Sequence, residues 1–284
     1  MRFTSPDAMQ RYAALARVAA GTVVGLDFDG TLAPIVEDPE KARIHPRGPG
    51  ILLDLAAQVR GIAIVTGRPA RQVVALGALD DLGTAFSDQG RELQVFGQYG
   101  NERWSSRDRR VLGPRPPHGL ASFLGELPRI LRRCDAADAY VEDKGLAVAV
   151  HTRRLEAPEA AFQRLLPELA IAAERHGMKV EPGRQVIEIR APGADKGDVV
   201  QKLAHDLGAL GVCFVGDDLG DLDAFHAVQA LREDGMTTLL VCSASDEESA
   251  LVPLSDVVVA GPDGVLQFLA TLARDAAASA RSEE

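Results

Sequence analysis

Three things are scarce in this 284-residue chain: cysteine, positive charge and uninterrupted apolar sequence. Cys134, Cys213 and Cys242 are odd in number and none stands in a C-x-x-C spacing, which argues against a disulfide framework and a thiolate zinc site. Cys213 lies in an apolar strand-like run and Cys242 just after one, where cysteine serves as a small buried hydrophobe. Lys and Arg number 31 against 41 Asp and Glu, a formal net charge of -10. That balance argues against non-specific nucleic-acid binding, which needs clustered Lys and Arg, and it requires local positive charge for any phosphorylated substrate. The N-terminal apolar patch, Tyr12 to Ala20, is interrupted by Arg17 and is far too short to span a bilayer. No secretory signal is visible, so the expectation is a cytoplasmic protein that engages neither membrane nor nucleic acid.

What is present is ordinary globular composition, 46% hydrophobic and 25% charged, in a chain long enough for one large domain or two smaller ones. The organising stretch is Thr22-Val-Val-Gly-Leu-Asp27-Phe-Asp29-Gly-Thr31-Leu32. Its β-branched start reads as a strand buried on both faces, ending at Asp27, where open parallel sheets place ligands. Asp27 and Asp29 stand two apart, so an extended backbone points both carboxylates to one side, and Gly30 lets the chain turn back around them. Taken alone the pair could equally cap a turn or a helix.

Along the chain, residues 1 to 20 read as an amphipathic helix started by Ser5-Pro-Asp7. A polar loop from Pro34 to Pro49 precedes a helix through Ile51, Leu52, Leu55 and Val59, which Gly61 is expected to close before the strand Ile62–Val65. Pro69 suits the first turn of the next helix. Thr84–Ser87 and Leu93–Phe96 read as further strands. Arg107, Arg109, Arg110, Pro114, Pro116 and Pro117 mark a linker from about Ser105. Beyond it, a helix from Pro117 to Arg133, a hairpin from Ala139 to Val150, a helix from Pro158 to His176 and two strands up to Arg190 suggest a small α+β unit. Alternating βα patterning resumes with the helix Lys196–Leu207, the strand Val212–Val215, the helix Leu219–Ala230 and the strands Thr238–Val241 and Val257–Val259. A helix Pro262–Ala273 and a frayed tail, Asp275–Glu284, close the chain. The expected architecture is α/β: a Rossmann-like parallel sheet core from residues 1–105 and 191–284, with an α+β cap inserted over 106–190.

DFDGTL at Asp27–Leu32 resembles the nucleophile motif of the haloacid dehalogenase superfamily of phosphatases. The superfamily's remaining motifs look like Thr66 in Ile62-Ala-Ile-Val-Thr66-Gly-Arg68, Lys196 in Ala194-Asp-Lys196-Gly, and Asp217, Asp218 and Asp221 after Val212-Cys-Phe-Val-Gly. The resemblance implies that Asp27 attacks a phosphoryl group to form an aspartyl-phosphate, with Asp29 as the proton donor and acceptor. It also implies that Thr66 and Lys196 compensate phosphoryl charge, and that Mg²⁺ is held among Asp27, Asp29, Asp217, Asp218 and Asp221. On their own the last three could be caps near a helix N-terminus, where carboxylates suit the macrodipole.

Outside these motifs the chain is similar to trehalose-6-phosphate phosphatases. Val141-Glu142-Asp-Lys144-Gly145, His151-Thr-Arg153, Pro182-Gly183 with Val186-Ile-Glu188-Ile-Arg190, Thr66-Gly67-Arg68 and Gly100-x-Glu102-Arg103 carry that likeness. It implies sugar recognition by Glu142, Lys144 and Glu188, and substrate contacts by Arg68, Glu102 and Arg153. The chain departs from the family at Tyr99-Gly100, where His-Gly is common, and at Gly220-Asp221, where Thr-Asp is frequent. The expectation is a stand-alone, monomeric trehalose-6-phosphate phosphatase. The competing readings are another sugar-phosphate phosphatase, of the sucrose-phosphate or mannosyl-phosphoglycerate type, and a non-enzymatic phospho-acceptor module like a response-regulator receiver.

Overall fold

A computed structural model describes residues 1–36, 38–183, 185–244 and 250–283. In chain order the elements are β1 (Arg2–Phe3), α1 (Pro6–Arg17), β2 (Thr22–Leu26), α2 (Gly48–Ala56), β3 (Gly61–Val65), α3 (Ala70–Leu76), α4 (Leu79–Asp88), β4 (Leu93–Gly97) and β5 (Glu102–Ser105). Then come α5 (His118–Arg133), β6 (Tyr140–Asp143), β7 (Ala147–His151), α6 (Pro158–Arg175), β8 (Lys179–Gly183) and β9 (Val186–Arg190). The chain finishes with α7 (Lys196–Asp206), β10 (Gly211–Gly216), α8 (Leu222–Glu233), β11 (Thr237–Ala244), β12 (Val257–Ala260) and α9 (Gly261–Glu283). The chain divides into two compact units, residues 1–112 with 194–284, and residues 113–193.

The first unit holds a sheet in the order β1-β12-β11-β10-β2-β3-β4-β5, parallel from β12 to β4 and antiparallel at both edges. The central strands are apolar along their whole length because both faces are covered. Val24, Leu26, Ile62, Ile64, Val215 and Val241 pack with α1, α2 and α9, while Val23, Ala63, Val65, Phe214 and Leu240 pack with α7 and α8. This is an α/β fold with a doubly covered sheet. β2 lies between β10 and β3, so the loops after these three strands leave side by side at the carboxyl edge.

The second unit is an antiparallel sheet, β6-β7-β9-β8, whose Val148, Val150, Ile187 and Ile189 face α5 and α6 in a separate apolar core. Its opposite face carries the polar side chains of the alternating pattern.

Four local expectations are corrected. Residues 84–87 belong to α4, not to a strand: Leu79, Leu82 and Phe86 form a buried helical stripe, and the Thr84 and Ser87 hydroxyls donate to the carbonyls of Asp80 and Gly83 one turn back. Gly61 opens β3 instead of closing α2, which ends at Ala56. The chain from Asp275 is not frayed, because α9 continues to Glu283, anchored where the Tyr12 hydroxyl donates to Asp275 at 2.7 Å; Glu284 lies outside the described residues. The segment after Ser105 stays with the first unit as far as Leu112, since Arg103 and Leu112 exchange both backbone hydrogen bonds, at 2.7 and 2.8 Å.

Asp256 ties the sheet edge together. It is buried, accepts from the Leu240 amide at 2.9 Å and from Arg11 at 2.8 Å, and is also bonded by Arg232. Asp256→Ala leaves a buried amide without its acceptor and is expected to lower the unfolding free energy by about 1–3 kcal/mol. Denaturant titration of the variant beside the parent measures this, and an unchanged midpoint would mean that the cluster is energetically idle.

Candidate functional site

The carboxyl edge of β10, β2 and β3 brings Asp217, Asp27 and Thr66 to one place, each directly after its strand. The Asp27 amide still donates to the Val215 carbonyl at 2.9 Å, so the ladder itself fixes where that carboxylate starts. Two residues later the backbone turns at Gly30, with φ at +67°, and a Cβ there would sit 2.0 Å from Asp217 Oδ2. Only glycine fits both the left-handed turn and the close approach of that carboxylate. The Gly30 carbonyl is held by the Ser243 hydroxyl at 2.6 Å, a contact from the end of β11 that no motif signals.

Lys196 stands in the first turn of α7, after a reciprocal cap between Asp195 and Asp198. Its side chain is 4% exposed, and its Nζ donates to Asp27 Oδ1 at 2.6 Å and Asp221 Oδ1 at 2.7 Å. Burial alone would lower the ammonium pKa; the Asp221 and Asp27 carboxylates outweigh it and hold the group well above its ordinary range. Asp221 is itself fully buried, and its other oxygen accepts from the Asp217 amide at 2.9 Å. It thus fixes both Lys196 and the loop carrying Asp217. Asp218 caps the same turn by accepting from the Gly220 amide at 2.8 Å.

Negative charge exceeds positive charge here. Burial first, and then the charges of Asp27, Asp218 and Asp221, push the Asp217 carboxyl up to about 10. Burial likewise raises Asp27, against the pull of Lys196, and Asp218. Carboxylate oxygens of Asp27, Asp217 and Asp221 lie within 4.8 Å of one another. Hard oxygen donors converging in surplus over one ammonium suit a divalent cation, and the residues therefore fit such an ion. Asp27 and Asp217 are the better ligands, because Asp221 already serves Lys196 and the loop amides. Asp29 and Asp218 lie outside this group of three.

Asp29 has a different partner. Arg68 grips it with two parallel bonds, Nε to Oδ2 at 2.6 Å and Nη2 to Oδ1 at 2.7 Å, while Nη1 donates to the Pro39 carbonyl at 2.8 Å. This fork orients a carboxylate far more tightly than a single bond. The Thr66 hydroxyl, buried beside it, accepts from the Arg68 amide at 3.1 Å. Glu102 accepts from the Ala70 amide at 2.7 Å and from the Gln98 side chain at 3.2 Å, so it caps α3 and braces the turn after β4.

In the second unit, Glu142 and Glu188 stand on β6 and β9, both opposite Ala149 of the strand between them. Glu142 is bonded to His151 Nε2 at 2.9 Å, and Lys144 donates to Glu188 Oε2 at 2.5 Å. Glu188 is 4% exposed overall, yet its buried Oε1 has no hydrogen-bond partner among the described residues. Arg153 is exposed beyond the end of β7. The sequence therefore identifies the side chains of both polar clusters, but it gives no sign of the Arg68–Asp29 fork, the Ser243 contact or the bracing role of Glu102.

Comparison with known proteins bears on both clusters. The trehalose-phosphatase family profile matches residues 25–106 and 129–257. A Mycobacterium tuberculosis protein described as an uncharacterized glycosyl hydrolase is 35% identical over 236 residues, covering 80% of this chain and 17% of that protein. Trehalose-phosphate phosphatase B of Arabidopsis thaliana is 29% identical over 283 residues, covering 94% of this chain and 71% of its own length. The solved C-terminal domain of C. albicans trehalose-6-phosphate phosphatase aligns with a TM-score of 0.76 at 18% identity, covering 96% of this chain and 98% of that one, and so shares the fold. The chain thus spans about a sixth of the first relative's length, 17%, and most of the second's.

A pH dependence follows from the acidic cluster. A carboxyl whose folded pKa is raised adds stability that is complete below its unfolded value, near 4, and is lost as pH climbs towards the folded value, here about 10 for Asp217. Chelated protein is therefore expected to melt at a lower temperature at pH 8 than at pH 5.5. Millimolar divalent cation should restore more at pH 8 than at pH 5.5, as thermal scans at both pH values will record. A cation effect equal at both pH values would rule out these carboxylates as its site.

Proposed function

The chain belongs to the trehalose-phosphatase family, and we propose that it hydrolyses trehalose 6-phosphate to trehalose and inorganic phosphate, with Mg²⁺ as the cation. One observation carries this reading: a buried ammonium, Lys196, shared by Asp27 and Asp221 next to Asp217, at the end of three parallel strands. An anionic phosphoryl group requires positive charge where a carboxylate nucleophile stands, in a chain whose overall charge opposes it.

In the first step an Asp27 oxygen attacks phosphorus, the bond from phosphorus to the sugar oxygen breaks, and an aspartyl-phosphate forms. Asp29 gives its proton to the departing sugar oxygen, and in the second step takes one from the water that attacks the aspartyl-phosphate, so phosphate leaves and Asp27 is regenerated. Arg68 aims Asp29 for both transfers, one bond of the fork opening at the carboxyl oxygen that carries the proton. Lys196 and the Thr66 hydroxyl face the charge on the non-bridging oxygens. Mg²⁺, held by Asp27 and Asp217, supplies further charge compensation when bound.

The second unit reads the sugar. Glu142, Lys144, Arg153 and Glu188 offer the acceptors and donors that hydroxyl groups need, and Glu188 Oε1, without a hydrogen-bond partner among the described residues, suits a hydroxyl donor. The enzyme acts as a monomer in this reading. The three cysteines form no disulfide, which suits a reducing, cytoplasmic setting.

Phosphate release from trehalose 6-phosphate, sucrose 6-phosphate, mannosyl-phosphoglycerate and a small aryl phosphate tests the substrate. Turnover is expected to be fastest on the first, and a preference for another sugar phosphate reassigns the specificity. Asp27→Asn should abolish turnover, whereas Asp29→Asn should lower kcat by about 10²–10⁴-fold with little change in KM. Near-parental rates in either variant contradict the assigned role. Glu188→Gln should reduce kcat/KM on trehalose 6-phosphate by at least about tenfold more than on the aryl phosphate. Equal losses on the two would show that the polar face of the second unit does not read the sugar.

A further inference from the structure

The segment after β4 is strained where no proton transfer or cation binding requires it. Gln98, Tyr99 and Gly100 all have left-handed backbones, with φ at 47°, 58° and 103°. Two successive non-glycine residues in that region are rare, and such strain persists only where the surroundings over-determine it. Here they do. The Gln98 amide donates to the Arg68 carbonyl at 2.9 Å and the Tyr99 amide to the Thr66 carbonyl at 3.0 Å. Asn101 Nδ2 donates to the Gln98 carbonyl at 2.8 Å, and Glu102 holds the Gln98 side chain at 3.2 Å.

The product of this bracing is the position of one ring. Tyr99 packs closely against Gly67, where a Cβ would meet its Cζ at 2.8 Å and its hydroxyl at 2.9 Å. The same ring reaches the turn after β10, its Cε1 standing 4.0 Å from the Cβ position of Gly220. It therefore spans two separate turns: Thr66-Gly67-Arg68, which carries the phosphoryl-facing hydroxyl and the arginine that aims Asp29, and Asp218-Leu219-Gly220-Asp221, which seats Lys196. Both turns present a glycine to the ring.

We propose that Tyr99 is a positioning residue: its ring clamps the Thr66–Arg68 turn against the Asp218–Asp221 turn and so fixes the separation of the groups that surround the phosphoryl site. This rests on the phosphatase reading above and adds a residue to it. The strained backbone is the cost of placing the ring, since an extended residue at this point would carry its side chain away from Gly67. The clamping is assigned to the ring.

Four variants test this: Tyr99→Phe, Tyr99→His, Tyr99→Ala and Tyr99→Gly, each assayed for kcat and KM on an aryl phosphate and for thermal midpoint. Turnover by the parent protein tests the phosphatase reading by itself; the ratio of variant to parent tests Tyr99. Phe should stay within about threefold of the parent in kcat and His should fall between, whereas Ala and Gly should lose about 10–100-fold in kcat with KM changed less than threefold, on the scale of loosened positioning. Gly should also melt several degrees above Ala, because it relieves the left-handed strain, while remaining equally slow. That separation of stability from rate is the signature of positioning. The proposal is overturned if Ala and Gly turn over at near-parental rates, if Phe is as slow as Ala, or if Gly recovers activity along with stability.

Discussion

A buried ammonium between two buried carboxylates, Lys196 with Asp27 and Asp221, is the constraint on which the first unit's carboxyl edge depends. Each such ion costs several kcal/mol to remove from water, and that cost is recovered only when the partners are close and correctly aimed. The fold meets the requirement with rigid parts. Asp27 ends a central strand, Lys196 opens a capped helix, and Asp221 sits in a turn whose amides hold its second oxygen. The same arrangement leaves Asp217 and Asp218 in a region already rich in negative charge, which is why the site is suited to a divalent cation and to an anionic substrate group together.

Around that core the loops are tied to one another more than to their own elements. Arg68 joins the turn after β3 to Asp29 and to the Pro39 carbonyl, Ser243 holds the Gly30 carbonyl from β11, and Glu102 braces both α3 and Gln98. Loops tied together in this way suit the tight positioning that catalysis demands. Residues that read as ligand contacts in a motif also hold other residues here. Glu102 is the plainest case.

The second unit solves a different problem with the simplest alternation. Val148 and Val150 of β7 and Ile187 and Ile189 of β9 point to one face, while Ala149, His151, Glu188 and Arg190 alternate onto the other. One face makes a core with α5 and α6, and the other carries the polar side chains. An apolar face alone cannot orient a sugar; paired carboxylates and an ammonium can.

The sequence by itself determined the elements whose signals are local and strong: β-branched runs ending at Asp27, Thr66 and Asp217, the Ser5 cap of α1, the hairpin of the second unit, and the motif residues of both polar clusters. Where two local signals compete, it was outweighed. Thr84 and Phe86 favour a strand by type, yet the spacing of Leu79, Leu82 and Phe86 and the packing of α4 made that segment a helix. The last helix outran its sequence pattern because Tyr12, remote in sequence, bonds Asp275. Only the tertiary structure decided which carboxylate Lys196 shares with Asp27, that Arg68 belongs to Asp29, and that Tyr99 lies on Gly67. Those pairings join positions tens to well over a hundred residues apart, and no spacing rule spans such distances; they exist because the parallel sheet places the ends of β10, β2, β3 and β4 side by side.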